Sequence, residues 1–305
     1  MSTAVSGLSD AVAAVCEPLG LRAWVHARDL DGGTEAGVDA DEPVVLASVF
    51  KVPVAVELTR QFESGTLQPT ERIRVAAEGR TGGGTGLSAL QDAVEMSLRD
   101  LAQLMIAVSD NAATDVVMAR AGRDSVNATM RGLGLHRTVL EGDCAFLLGR
   151  LVADLDLTPA ERARLEQGDD DVLSAIAPVR WQRCRDLQPP ATSRSTPREI
   201  TRLLELIWKD QAAPPDACAF VRRIMGQQVW PHRLRAGFPG SVRTSGKTGT
   251  LPFVRNEAGV VEYPGGGRYA VAVFTTAAAP ALHDPDADRA VGSIARLAVD
   301  ALREA

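Results

Sequence analysis

The chain has 305 residues, 45% of them hydrophobic and 24% charged, which is enough apolar material for a substantial core and too little bias for a disordered or fibrous chain. Its 33 basic and 39 acidic residues leave a net charge of −6, which argues against a protein whose main task is to neutralise nucleic-acid phosphates. No run of 18 apolar residues occurs, and the first thirty residues place no basic segment ahead of an apolar one. The sequence therefore predicts a soluble, cytoplasmic protein with no membrane partner.

Taken in chain order, residues 21–30 alternate apolar and polar side chains, Asp31-Gly32-Gly33 marks a turn, and an extended pattern resumes over 37–46, which predicts a hairpin. A helix is expected from about Ser48 to Glu63, with Pro53 close enough to its start to be tolerated and Gly65 ending it. GRTGGGTG at 79–86 has too many glycines for a helix or a strand. Ser97 and Asp100 have capping-box spacing ahead of Leu98, Leu101, Leu104 and Met105, which share one helical face. Helices are also expected over 112–121 and 124–132, and two more start at Thr158-Pro159-Ala160-Glu161 and Thr196-Pro197-Arg198-Glu199, which pair a capping box with proline at the first helical position. Between those two starts, 167–195 reads as a long surface connection. Past Pro231, strands are expected over 241–250, 259–263 and 268–276, followed by a helix with Val291, Ile294, Leu297, Ala298, Ala301 and Leu302 on one face.

Strands at both ends of a helical middle predict one α/β (α+β) unit over 1–305. Its antiparallel sheet lobe comes from approximately 15–47 and 230–305, an all-helical lobe is inserted over approximately 48–229, and the cleft between lobes is the default site. Several chemistries are excluded. Gly240 stands one residue too far from Gly246-Lys247-Thr248 for a phosphate loop, and there is no G-x-S-x-G nucleophile elbow. His26, His136, His232 and His283 share no metal-ligand spacing, and Cys16, Cys144, Cys184 and Cys218 form no C-x-x-C pair, so isolated reduced thiols and no metal or cofactor are expected.

Only three of the 33 basic residues are lysines, Lys51, Lys209 and Lys247. Arginine serves any solvating or ion-pairing role but cannot give up its proton at working pH, so the lysines invite scrutiny. Ser48-Val49-Phe50-Lys51 puts a hydroxyl and an amine three residues apart at a helix start, where both project to one side and the amine can reach the hydroxyl. The positive end of the helix dipole disfavours a protonated Lys51 there. Ser109-Asp110-Asn111 interrupts the helical lobe, and Lys247-Thr248-Gly249 followed by Thr250 lies on the first of the carboxyl-terminal strands.

Together these segments resemble the S-x-x-K, S-D-N and K-T-G elements of class A β-lactamases and penicillin-binding proteins, over roughly residues 15–303. The resemblance implies a class A β-lactamase-like fold, an antiparallel sheet flanked by helices plus the helical lobe. It also implies that Ser48 is an acylated nucleophile with Lys51 as its base, and that Ser109 relays a proton to the leaving nitrogen. Asn111 then holds a substrate amide, Lys247 with Thr248 and Gly249 binds a substrate carboxylate, and the main-chain N–H groups of Ser48 and Thr250 form an oxyanion hole. The family's E-x-x-L-N element, whose glutamate activates the deacylating water, is absent. The corresponding stretch reads LEGDCAFLLGRLVADLDL, where Glu141 and Asp143 are the nearest carboxylates and the candidates for a deacylation base. The expected function is that of a serine hydrolase acting through a Ser48 acyl-enzyme on a β-lactam or a related amide or ester, with a small carboxylate-bearing molecule as substrate. The alternative is a binding or sensor domain in which the acyl-enzyme is the end state.

Overall fold

The computed structural model describes residues 3–166, 169 and 171–304. Its strands are β1 (Leu21–Asp29), β2 (Glu35–Val38), β3 (Val44–Val45), β4 (Arg72–Val75), β5 (Val94–Ser97), β6 (Arg194–Ser195), β7 (Arg243–Leu251), β8 (Val254–Glu262) and β9 (Arg268–Ala277). Five of them form one antiparallel sheet in the order β2-β1-β9-β8-β7. The amino-terminal hairpin thus joins the carboxyl-terminal meander through β1 and β9, with Val25 opposite Val273. Alternation divides the sheet's side chains between two cores. Ala270, Ala272 and Phe274 face one, while Tyr269, Val271 and Val273 face the other. Both faces are therefore covered, and β8 is buried along nearly its whole length.

The helices are α1 (Thr3–Cys16), α2 (Lys51–Glu63), α3 (Leu98–Ala107), α4 (Asn111–Ala121), α5 (Arg123–Gly132), α6 (Cys144–Asp154), α7 (Pro159–Glu166), α8 (Asp171–Ala175), α9 (Pro178–Gln182), α10 (Pro197–Trp208), α11 (Pro215–Met225) and α12 (Pro285–Arg303). Helices α1 and α12 pack against one sheet face, burying Leu8, Val12, Val291, Ile294 and Ala298 with the odd-numbered set of β9. The other face carries α2 and α10, whose Val54, Leu58, Leu203 and Ile207 join the larger core. Local start signals account for the boundaries, since Ser97, Asp143 and Thr196 each accept a hydrogen bond from the amide three residues on.

Three expectations need correction. Residues 48–229 are not wholly helical, because Arg72-Ile73-Arg74-Val75 alternates exposed and buried side chains and pairs with β5. The stretch 167–195 is more than a surface connection, though residues 167, 168 and 170 lie outside the described residues. It contains α8 and α9, and with α6 it buries Leu151, Leu155, Leu173, Ile176, Trp181 and Cys184 in a small core of its own. That core closes on the β7–β8 turn, where Trp181 packs edge-on against Phe253 at 5.0 Å. Helix α1 was not anticipated from the sequence, and its apolar side chains fill the sheet face beside α12.

Candidate active site

Ser48 does not open the long helix itself. It lies in a tight 3-10 turn, Ala47–Phe50, ahead of α2. Ala47 has a left-handed backbone with φ of 44°, a conformation that costs a non-glycine residue about 1–3 kcal/mol and persists only when its surroundings enforce it. The enforcement comes from the sheet. Asn256 on β8 is fully buried and its Nδ2 donates to the main-chain oxygens of Val45 at 2.8 Å and Leu46 at 3.3 Å, while Leu46 N–H donates to Ser193 O. On β7, a Cβ at Gly249 would stand 2.7 Å from Leu46 O and 3.3 Å from Ser48 N, so only glycine lets this strand approach the turn. The glycine of the K-T-G element is thereby a packing requirement of the nucleophile turn.

Lys51, at the start of α2, is fully buried. Its Nζ donates to Ser109 O at 2.7 Å, to Asn111 Oδ1 at 2.8 Å and to Ser109 Oγ at 3.3 Å. Ser48 Oγ is not among these partners, so the direct amine-to-hydroxyl hydrogen bond expected from the three-residue spacing is not formed. The amine instead ties the first motif to the second. Ser109 itself has a φ of 60°, a second left-handed non-glycine residue at the same place, and Asp110 between Ser109 and Asn111 caps α4 and accepts Leu87 N–H. Burial lowers the Lys51 pKa below its ordinary value, and the charges of Asp110 and Asp115 oppose that shift only in part. Asn111 also donates from Nδ2 to Gly82 O at 2.8 Å, which leans the glycine-rich loop over the cleft.

Lys247 is also fully buried, and its Nζ donates to Thr248 O at 2.9 Å. Burial and the nearby charge of Lys51 hold its pKa well below the ordinary lysine value. It lines neither of the two cavities that meet at Ser48. The larger of these, about 290 Å³, is lined by Ser48, Ser109, Asn111, Thr248 and Thr250, and its basic side chains are Arg233, Arg255, His232 and His283. Arg233 is buried, and its guanidinium is tied to the strands that carry Gly249, Thr250 and Asn256. Its Nη2 donates to Thr250 Oγ1 at 2.8 Å, its Nη1 to Gly249 O and Asn256 O, and its Nε to Asp288. Sequence reasoning missed Arg233, because an arginine among thirty carries no local signal.

The two carboxylates nearest to the expected loop do not reach the nucleophile. Glu141 pairs with Arg194 at 2.7 Å, Asp143 caps α6 through Phe146 N–H, and neither lines a cavity that Ser48 lines. What stands there is Cys144. It is buried, lines the smaller cavity with Ser48, and its Sγ lies 3.4 Å from Asn111 Oδ1, the oxygen that also accepts from Lys51. Burial pushes this thiol up to about 11, so it is neutral near pH 7. Asp115 fixes it in place by accepting Cys144 N–H at 2.7 Å and the Thr81 hydroxyl. The acidic residues lining the two cavities, Asp186 and Asp288, are ion-paired to Arg150 and to Arg233 respectively. Among the described residues no group of three or more His, Cys, Asp or Glu could hold a metal ion, and no helix is long and apolar enough to cross a membrane.

A sheet covered on both faces, a helical lobe, and three motifs converging on one serine define a β-lactamase-like protein. The chain belongs to the β-lactamase enzyme family, whose model matches residues 7–302. It is similar to the β-lactamase regulatory protein BlaB of Streptomyces cacaoi, with 32% identity over 93% of this chain and 94% of that protein. It is also similar to the carbapenem-hydrolyzing β-lactamase KPC of Klebsiella oxytoca, with 26% identity over 91% of this chain and 83% of that one. Among solved structures, a β-lactamase from Sphaerobacter thermophilus superposes with a TM-score of 0.75 at 26% identity, covering 98% of each chain.

Proposed function

We propose that the chain is a serine acyl-transfer enzyme of the β-lactamase-like type, acylated at Ser48 by a β-lactam or a related amide or ester. The observation that carries this reading is the desolvated Lys51 amine, hydrogen-bonded to Ser109 and Asn111, which line the same cavity as Ser48. In the proposed step Ser48 Oγ bonds to the substrate carbonyl carbon and the bond from that carbon to the leaving nitrogen or oxygen breaks. The serine proton passes to Lys51 and then, through Ser109 Oγ, to the leaving atom. The main-chain amides of Ser48 and Thr250 stabilise the tetrahedral oxygen. An anionic substituent on the leaving side is held by Arg233 with Thr248 and Thr250, and the Lys247 amine lies buried behind them.

A second reading, an acyl-binding sensor, is favoured by one specific feature. The carboxylates that line the cavities around Ser48, Asp186 and Asp288, are both engaged by arginine, so neither stands free to activate water beside the ester. The regulatory relative from Streptomyces cacaoi, to which the chain is 32% identical, points the same way. Intact mass of the protein with penicillin G and with p-nitrophenyl acetate, followed over time, separates the outcomes. An adduct on Ser48 that forms and clears over many turnovers supports the enzyme, a stable adduct supports the sensor, and absence of both adduct and product defeats acylation at Ser48 altogether.

A further inference from the structure

Three residues past α11, Gln228 spans the outer two strands of the sheet. Its Oε1 accepts Thr248 N–H of β7 at 2.8 Å, and its Nε2 donates to Glu257 Oε1 of β8 at 2.6 Å. The amide can be turned only this way, since a main-chain N–H only donates and an ionised carboxylate only accepts. β7 is an edge strand, so every second N–H along it points away from β8 with no strand to receive it. Thr248 N–H is one of these, and two residues on the same alternation directs Thr250 N–H, the amide assigned to the oxyanion hole. Gln228 therefore holds the edge where a neighbouring strand would, just ahead of that amide. Val229 carries the link across the cleft, because its N–H donates to Ala107 O at 3.0 Å, at the end of α3 and two residues before Ser109.

Glu257 is the buried partner that holds the glutamine in place. Its Oε2 accepts Leu234 N–H at 2.8 Å, and the cations that face it are Arg233 and Lys247. β7 passes tightly over the pair, for a Cβ at Gly246 would stand 2.7 Å from Glu257 Oε1 and 3.3 Å from Gln228 Nε2. We infer that Gln228 is a positioning residue for acylation: it fixes the β7 edge so that Thr250 N–H meets the tetrahedral oxygen, and Glu257 keeps its amide turned. The inference rests on the acylation of Ser48 proposed above. The anionic end of a substrate is held elsewhere, by Arg233, whose bonds to Gly249 O, Asn256 O and Thr250 Oγ1 do not involve Gln228. Loss of Gln228 should thus slow the acylation step rather than weaken binding.

The test uses the full chain with p-nitrophenyl acetate. Ser48 Oγ bonds to its acyl carbon, the ester C–O bond breaks, the serine proton passes to Lys51, and nitrophenolate leaves and is read directly as acylation. Gln228→Leu keeps the bulk but loses both hydrogen bonds, and should cut the saturating acylation rate about tenfold or more with KM within about twofold. Gln228→Glu keeps the acceptor for Thr248 N–H but sets two carboxylates side by side, which must share one proton. Its acylation rate relative to wild type should therefore be highest near about pH 5 and fall at least tenfold by about pH 8. Joining it to Glu257→Gln restores one donor and one acceptor in reverse order, and should bring the rate to within about threefold of wild type at both pH values. Circular dichroism and melting temperature show which variants are folded, and the pH ratio with its reversal decides the matter if Gln228→Leu is not. A folded Gln228→Leu protein that acylates like wild type, a relative rate in Gln228→Glu that ignores pH, or a double variant no better than Gln228→Glu overturns the assignment. A fluorophosphonate run in parallel reports Ser48 itself. Labelling of Ser48 together with any of those results defeats the positioning role alone, whereas no labelling by the fluorophosphonate or the ester defeats the acylation on which it rests, and the positioning role with it.

Discussion

The Nζ of Lys51 lies 2.7 Å from the main-chain oxygen of Ser109, whose φ of 60° turns that oxygen toward the amine. The two motifs are thus locked by a backbone acceptor that no side-chain substitution at Ser109 removes. Because burial lowers the Lys51 pKa, the neutral amine is populated at lower pH than for an ordinary lysine. Acylation of Ser48 should therefore rise with pH through the Lys51 titration and level off above it. Lys51→Arg keeps the charge but cannot accept a proton, and should cut the acylation rate by about 10²–10⁴-fold at pH 7. Stopped-flow acylation against pH checks both statements, and an arginine variant within tenfold of wild type would count against Lys51 as the base.

Lys247 is a stability cost carried at the site. Its pKa is held well below the ordinary 10.5 by burial and by Lys51, so the unfolded chain binds more protons in the window below 10.5. Stability attributable to this residue therefore rises with pH across that window. Lys247→Met should raise unfolding stability at pH 7 by on the order of 1 kcal/mol, flatten its pH dependence, and sharply reduce acylation. Urea denaturation at pH 7 and pH 9 decides the matter, and a variant less stable than wild type at both would show that Lys247 is better satisfied than its burial implies.

Glu141 and Asp143 are engaged by Arg194 and by the amide of Phe146, and neither lines a cavity that Ser48 lines. Glu141→Gln and Asp143→Asn should therefore leave the lifetime of the Ser48 adduct within about twofold, since asparagine caps a helix as well as aspartate does. A tenfold longer lifetime in either variant, measured by intact mass, would restore that residue as the deacylation base.

How far the sequence discloses this protein depends on how far its signals reach along the chain. Ser48, Lys51, Ser109 and Lys247 stand in short motifs of uncommon residue types, and Ser97 and Thr196 announce their helices within three positions. Alternation in 268–276 correctly marks a strand of the central sheet. Other features depend on partners far away in sequence. The pairing of Val44 with Ser195 spans about 150 residues, Asn256 reaches back to Val45, and Arg233 meets Thr250 only once β7 is in place. Cys144 reads as one of four unremarkable thiols until α4 and α6 bring it to Asn111. Trp181 sits in a stretch rich in charge and proline, and its burial arises from Leu151, Leu155 and Phe253 rather than from its own neighbours.

Arg233 combines two tasks that a single substitution can separate. Its guanidinium bridges Thr250 Oγ1, two main-chain oxygens and Asp288, so Arg233→Lys keeps the charge but loses the fork. For an anionic substrate KM should rise about tenfold or more with little change for a neutral ester, and the melting temperature should fall by several degrees. Equal effects on both substrates would mean that Arg233 only supports the β7–β8 turn.

The last prediction concerns Cys144. Water attack on an acyl-Ser48 ester requires a base close to both the ester and Lys51, and general-base assistance is worth about 10²–10⁴-fold. The position that meets this geometry holds a thiol whose proton is retained to about pH 11, which can neither accept a proton near neutrality nor orient a water strongly. Penicillin G or p-nitrophenyl acetate should therefore give a burst of about one equivalent followed by a slow phase. Cys144→Asp places a carboxylate where Lys51 and Asn111 already converge, and the nearby lysine favours its ionised form against the desolvation and the charges of Asp115 and Asp143 that oppose it. The aspartate variant should clear its adduct at least tenfold faster than wild type, while Cys144→Ser, close in size and without a useful base, should remain slow. Intact mass at successive times reads both lifetimes. A wild-type protein that turns over penicillin G linearly with no burst, or an aspartate variant that acylates normally but clears no faster, would show that deacylation is governed elsewhere in the cleft.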